Sequence, residues 1–112
     1  YGTPQLATYC MAKWGVRGLT KTLAQELKGT GIVVNDVCPT KVKTPMCETE
    51  SYVKFINDLT GKDFKNWQEM YEGVPFLEVE DISDMVYWLG PSRAAGKFSG
   101  RDLGLDLGTL QQ

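Results

Sequence analysis

Ile32-Val-Val-Asn-Asp-Val-Cys38, followed by Pro39-Thr-Lys-Val-Lys-Thr-Pro45, decides the fold class. The first seven residues are short, rich in β-branched side chains and bounded by Gly31, which predicts a buried strand. Pro39 cannot donate to a ladder and ends it. The second piece is then a loop at the C-terminal end of a strand, where open α/β sheets bind their ligands.

Upstream, Thr3 reads as a helix N-cap and Pro4 as the first helical position, with Gly29 and Gly31 at the far end. Between them Ala12, Val16, Leu19, Leu23 and Leu27 recur at spacings of three and four. On a helical wheel they fall within an arc of roughly 80°, a face suited to burial. Tyr9 lies at one edge of that arc, and Lys13 roughly 40° further round and one turn along. The pair therefore borders the expected buried face, a position that suits a cleft. The opposite face carries Cys10, Met11, Trp14, Gly15 and Gly18. Two readings of it stay open: cover by another part of the chain, or a subunit interface in which small residues admit a second helix and Trp14 anchors it.

Downstream, residues 48–76 read as two short helices. Val53, Ile56 and Leu59 mark the first, Phe64, Trp67, Met70 and Tyr71 the second, with Gly61 and Gly73 as punctuation. Their aromatics read either as core or as a mobile lid over an apolar pocket. Asp81 is expected to cap a further helix carrying Ile82, Met85, Val86 and Leu89, which stops at Gly90-Pro91. Arg101-Asp-Leu-Gly-Leu-Asp-Leu107 alternates and predicts a second strand. Strand, helical crossover and strand make one parallel unit. Two strands are too few for a stable parallel sheet, so the chain reads as part of a larger α/β domain. Its first residue, Tyr1, adds to the expectation of a fragment or a processed chain.

The bulk numbers narrow the function. At 112 residues and 42% hydrophobic content there is material for at most one small domain. A net charge of −2 argues against nucleic acid or an anionic membrane as partner. No apolar run is long enough for a membrane span. Three irregularly spaced cysteines fit a reducing cytoplasm better than a disulfide framework. The chain contains no His, which removes His-based triads and His metal sites, and no metal site is expected.

Five motifs in order then resemble the short-chain dehydrogenases/reductases, in the C-terminal half of that fold. They are Tyr9-x-x-x-Lys13, Gly18-Leu-Thr-Lys-Thr-Leu-Ala-Gln-Glu-Leu27, Ile32-Val-Val-Asn35, Pro39-Thr-Lys-Val42-Lys-Thr44, and Glu80-Asp-Ile82 with Ser99-Gly100 through Asp106-Leu-Gly108. The family usually places Gly after the loop proline, whereas this chain has Thr40. The stretch Pro-Thr-x-Val-x-Thr-Pro-Met is similar to the carveol dehydrogenase-like, mycofactocin-dependent subgroup.

The resemblance implies the C-terminal portion of a single Rossmann-like, doubly wound parallel sheet over residues 1–112. Residues 46–76 would form a helical substrate lid, and the N-terminal cofactor-binding half, with its Gly-rich turn and substrate-holding Ser, would be absent. It implies hydride transfer between NAD or NADP, with NAD preferred, and a small hydrophobic alcohol or ketone. Tyr9 would be the general acid/base, and Lys13 the cation that favours its phenolate and binds the nicotinamide ribose. Pro39, Thr40, Val42 and Thr44 would line the cofactor, Val42 through its backbone and Thr44 through its hydroxyl; the other reading of Thr44 is a capping hydroxyl at the next helix start. Asn35 would tie its strand end to a neighbour, and Lys41 and Lys43 would be solvated loop charges or phosphate contacts. The complete protein would be a homodimer or homotetramer. The apolar face of the first helix and the missing cofactor half leave one alternative, a truncated non-catalytic member that acts as an interaction module.

Overall fold

The computed structural model describes residues 6–108. Helix α1 spans Ala7–Glu26, strand β1 Asp36–Pro39, α2 Glu50–Thr60, α3 Trp67–Gly73, α4 Val79–Leu89 and strand β2 Asp102–Leu105. Single 3₁₀ turns lie at Pro45–Cys47 and Ala95–Lys97. β1 and β2 are neighbours in one sheet. The Asp36 N–H donates to the Arg101 carbonyl at 3.1 Å, and the Thr40 N–H to that of Leu105 at 2.9 Å. Both strands advance by four residues in the same direction, so the ladder is parallel and the chain is an α/β fold. Two compact units divide it, Tyr1–Cys38 with Val86–Gly104, and Pro39–Met85 with Leu105–Gln112.

In the first unit α1 begins at Ala7 with Leu6 before it, and the expected Thr3-Pro4 start lies outside the described residues. The helix ends at Glu26, and Gly29 and Gly31, both at φ 86°, supply the left-handed backbone of the reversal. The expected buried stripe is corrected. Ala12, Val16 and Leu19 are exposed, Leu23 and Leu27 half-buried, and Thr20 and Ala24 are the buried positions. Burial needs a partner surface, and that surface is the turn into β2: a Cβ on Gly100 would stand 3.2 Å from the Ala24 methyl. Gly15 and Gly18 face open space.

The strand expected over 32–38 is shorter and less buried than its composition predicts. Ile32 is 56% exposed. Residues 32–35 lie outside the ladder, and among the described residues no strand pairs with them. Val34 instead bonds the turn before β2: its N–H donates to Ser99 Oγ at 2.9 Å, and its carbonyl accepts from the Gly100 N–H at 2.7 Å. Asn35 has the tying role expected of it. Its Nδ2 donates to the Phe98 carbonyl at 3.3 Å and its Oδ1 accepts from the Arg101 N–H at 3.1 Å. β2 is likewise shorter than the alternating stretch; Leu107 turns left-handed, at φ 54°, just beyond it.

The second unit holds the larger apolar cluster, with Cys47, Val53, Ile56, Met70 and Val74 buried. Its helices stand where their caps put them. Thr49 Oγ1 accepts from the Tyr52 N–H at 3.2 Å, and Gly61, left-handed at φ 70°, closes α2. Asn66 Oδ1 accepts from the Glu69 N–H at 2.9 Å, while Glu69 Oε2 reaches back to the Lys65 N–H at 2.9 Å. Asn57 clamps the intervening loop through both Phe64 backbone groups. Leu59, expected on the buried face, is exposed. α4 starts before Asp81, which sits inside its first turn and accepts from the Glu78 N–H at 2.7 Å.

Candidate functional site

Tyr9 and Lys13 lie one turn apart on α1, and the Lys13 ammonium stands 5.5 Å from the centre of the Tyr9 ring. Helical spacing alone produces this closeness. Both side chains are exposed among the described residues.

Arg17 continues the same line one turn further. Its guanidinium donates to Asp102 Oδ2 at 2.5 Å, and Lys21 Nζ lies 3.2 Å from the same oxygen. Hydrogen bonds from Arg17 and Lys21 hold the Asp102 carboxyl at about 2, and the same Arg17 bond raises the guanidinium's own pKa. Beside them Cys38 Sγ donates to Asp36 Oδ1 at 3.0 Å. Burial first, and the Asp36 carboxylate second, push this thiol up to about 11.

The loop after β1 is held in the second unit by its backbone. Val42 bridges in parallel with Leu77. The Lys43 N–H donates to the Leu77 carbonyl at 2.9 Å, and the Leu77 N–H to that of Lys41 at 2.8 Å. In such a bridge the central residue's own N–H and C=O point away from the partner strand. The Val42 carbonyl takes the Cys47 thiol at 3.2 Å. Thr44 is extended and precedes the 3₁₀ turn, but its side chain makes no capping bond; its hydroxyl has only a 3.8 Å contact to Cys47 Sγ. Pro39 ends β1, and the Thr40 N–H is taken by Leu105.

The aromatics of 52–76 mostly pack on the buried cluster. Trp67 meets Tyr71 edge-on at 5.4 Å, and Tyr71 meets Phe76 at 4.8 Å. Phe64, Trp67 and Val53, with Asn57, Lys54 and Lys65, also line an open cleft of about 520 Å³. Lys43 departs from the expected solvated charge. It pairs with Glu78 and stands 5.7 Å over the Tyr71 ring. Sequence reasoning passed over Arg17 as well. The one available signal was the four-residue series Tyr9, Lys13, Arg17, Lys21 on a single helix line.

Among the described residues no cluster of His, Cys, Asp or Glu is suited to a metal ion, and no helix is long and apolar enough to cross a membrane.

The family model for short chain dehydrogenase matches residues 1–52, the helix with Tyr9 and Lys13 and the loop with Thr44 included. The fold agrees over the whole chain. A crystal structure of carveol dehydrogenase from Mycobacterium avium in complex with NAD superimposes with a TM-score of 0.81 at 30% identity, covering 100% of this chain and 42% of that one. This chain belongs to the short-chain dehydrogenase family. As a short-chain dehydrogenase it is also similar to an actinorhodin polyketide ketoreductase solved with NADPH, with a TM-score of 0.74 and 32% identity over 95% of this chain and 41% of that one. The diacetyl reductase [(S)-acetoin forming] of Staphylococcus aureus is 35% identical over 91 residues, 79% of this chain and 35% of the relative. The chain thus spans about two-fifths of the length of these short-chain dehydrogenases.

Proposed function

We propose that the complete protein is an NAD(P)-dependent oxidoreductase that interconverts a secondary alcohol and a ketone, with Tyr9 as general acid/base. The observation that carries this is the Lys13 ammonium 5.5 Å from the Tyr9 ring on one helix line. The pair would set a cation beside the hydroxyl that carries the proton. In alcohol oxidation the Tyr9 oxygen takes the hydroxyl proton, and in ketone reduction the phenol returns it to the carbonyl oxygen. The nicotinamide, when bound, accepts or supplies the hydride.

The loop fits such a dinucleotide. The Val42 N–H is directed away from Leu77, and the Thr44 hydroxyl is not consumed by a cap. Val42 would hold the carboxamide through its backbone and Thr44 the dinucleotide through its hydroxyl, with Pro39 and Thr40 shaping the loop between strand and bridge. Lys13 would bind ribose hydroxyls with its remaining donors. We assign residues 46–76 to a helical lid, whose partly buried aromatics support a small hydrophobic alcohol or ketone as substrate. NAD is the preferred cofactor, on the likeness to the NAD-bound carveol dehydrogenase. The exposed Met11, Trp14, Gly15 and Gly18 face supports a homodimer or homotetramer, and the composition a cytoplasmic protein.

Tyr9→Phe in the complete protein tests the reading. Turnover of secondary alcohols should be lost while NAD or NADP still binds, measured by steady-state rates and by titration of nicotinamide fluorescence. Retained turnover would refute Tyr9 as the proton carrier.

A further inference from the structure

We propose that Lys43 is a positioning residue for the loop that holds the dinucleotide: its ammonium, set between the Glu78 carboxylate and the Tyr71 ring, steadies Val42 and Thr44. The inference rests on the function proposed above and adds a residue outside the cofactor set named there.

Lys43 lies between Val42 and Thr44, so its backbone is part of the loop itself. Three contacts hold it. Its N–H donates to the Leu77 carbonyl at 2.9 Å. Its ammonium pairs with Glu78, the residue after Leu77. The same ammonium stands 5.7 Å over the Tyr71 ring, which Trp67 and Phe76 fix edge-on at 5.4 and 4.8 Å.

On the Leu77 side the backbone has little reinforcement of its own. Val42 and Leu77 form an isolated bridge, so the two backbone bonds beside Val42 have no neighbouring rungs. Cys47 holds the opposite side, through the Val42 and Thr44 carbonyls. Lys43 with Glu78 and Tyr71 supplies the side-chain hold that the bridge lacks. A lysine reserved for a phosphate gains nothing from a carboxylate neighbour, which competes for its charge. The geometry therefore favours a strut over a phosphate contact.

The test uses the complete protein with NADH and NADPH as probes. Kd is read from nicotinamide fluorescence, and KM and kcat from steady-state rates, for wild type, Lys43→Met, Lys43→Arg, Glu78→Gln and the double variant of Lys43→Met with Glu78→Gln. Both side chains reach solvent, so these substitutions leave the buried cluster intact. Loss of a partly exposed ion pair together with a cation–π contact should weaken binding about threefold in Lys43→Met. Glu78→Gln keeps the ring contact and should weaken it about twofold. The double variant should lose no more than Lys43→Met alone, because both act through one contact. Lys43→Arg keeps both partners and should bind better than Lys43→Met. KM for the dinucleotide should rise in parallel with Kd, with a smaller change in kcat.

An unchanged Kd in Lys43→Met, losses that add in the double variant, or a fall in kcat at unchanged KM overturns the inference. If Lys43→Met weakens binding while Glu78→Gln leaves it unchanged or tightens it, Lys43 meets a phosphate directly and this inference alone falls. If wild type binds neither NADH nor NADPH, the proposed function falls and the inference with it.

Discussion

Arg17 and Asp102 lie 85 positions apart in sequence and meet at 2.5 Å, joining α1 to the start of β2. Arg17 sits one turn beyond Lys13, so the bond anchors the helix that carries Tyr9.

Asp102→Asn should destabilise the complete protein at neutral pH by about 1 kcal/mol; the pair is partly exposed and water screens it. The carboxyl is held at about 2, below its ordinary 3.8. A depressed carboxyl stabilises the fold above its unfolded value and loses that contribution as pH falls through its folded value. Urea midpoints of wild type should therefore decline between about pH 4 and pH 2. In Asp102→Asn this part of the decline should be missing.

Lys13→Met should lower kcat in the complete protein by about 10²-fold or more, the scale of a general acid/base contribution. Lys13→Arg keeps the charge and should retain more activity. Equal losses in the two variants, measured at saturating dinucleotide, would assign Lys13 a role other than its charge.

Cys38 should be slow to alkylate. Burial pushes its thiol up to about 11, so its thiolate fraction near neutrality is smaller than in an unfolded chain. Peptide mapping after maleimide treatment should show that difference between native and urea-unfolded protein. Asp36→Asn removes the neighbouring carboxylate and should speed the native reaction.

Gly73 has no room for a side chain. A Cβ there would lie 2.4 Å from Phe64 Cε1. Gly73→Ala should cost about 1–3 kcal/mol by overpacking, read as a drop in the urea midpoint. Phe64→Leu in the same chain should recover part of it, since the obstacle is the ring. Full additivity of the two losses would place the strain elsewhere.

Helix positions were legible because their signals are local. Gly61 stands at the end of α2, and Gly29 and Gly31 follow α1, each doing what its lack of a side chain allows. Strand extent was not legible in the same way. Ile32 and Val33 have strand-forming side chains, yet the ladder covers Asp36–Pro39, because pairing is set by where the partner strand lies. The apolar stripe Ala12, Val16 and Leu19 was equally clear in the sequence and stands exposed, since periodicity marks a face fit for burial and supplies nothing to cover it.

The sequence by itself determined the parallel α/β order, the helix line shared by Tyr9 and Lys13, and a loop from Pro39 to Thr44 after a strand. Each follows from short-range geometry, the four-residue helical repeat or a proline at a strand end. Only the tertiary structure decided that Asp102 would close on Arg17, and that the Lys43 ammonium would stand over the Tyr71 ring. Those contacts join residues far apart in the chain. No periodicity encodes them, and they form only when packing brings one element's side chains to another's backbone.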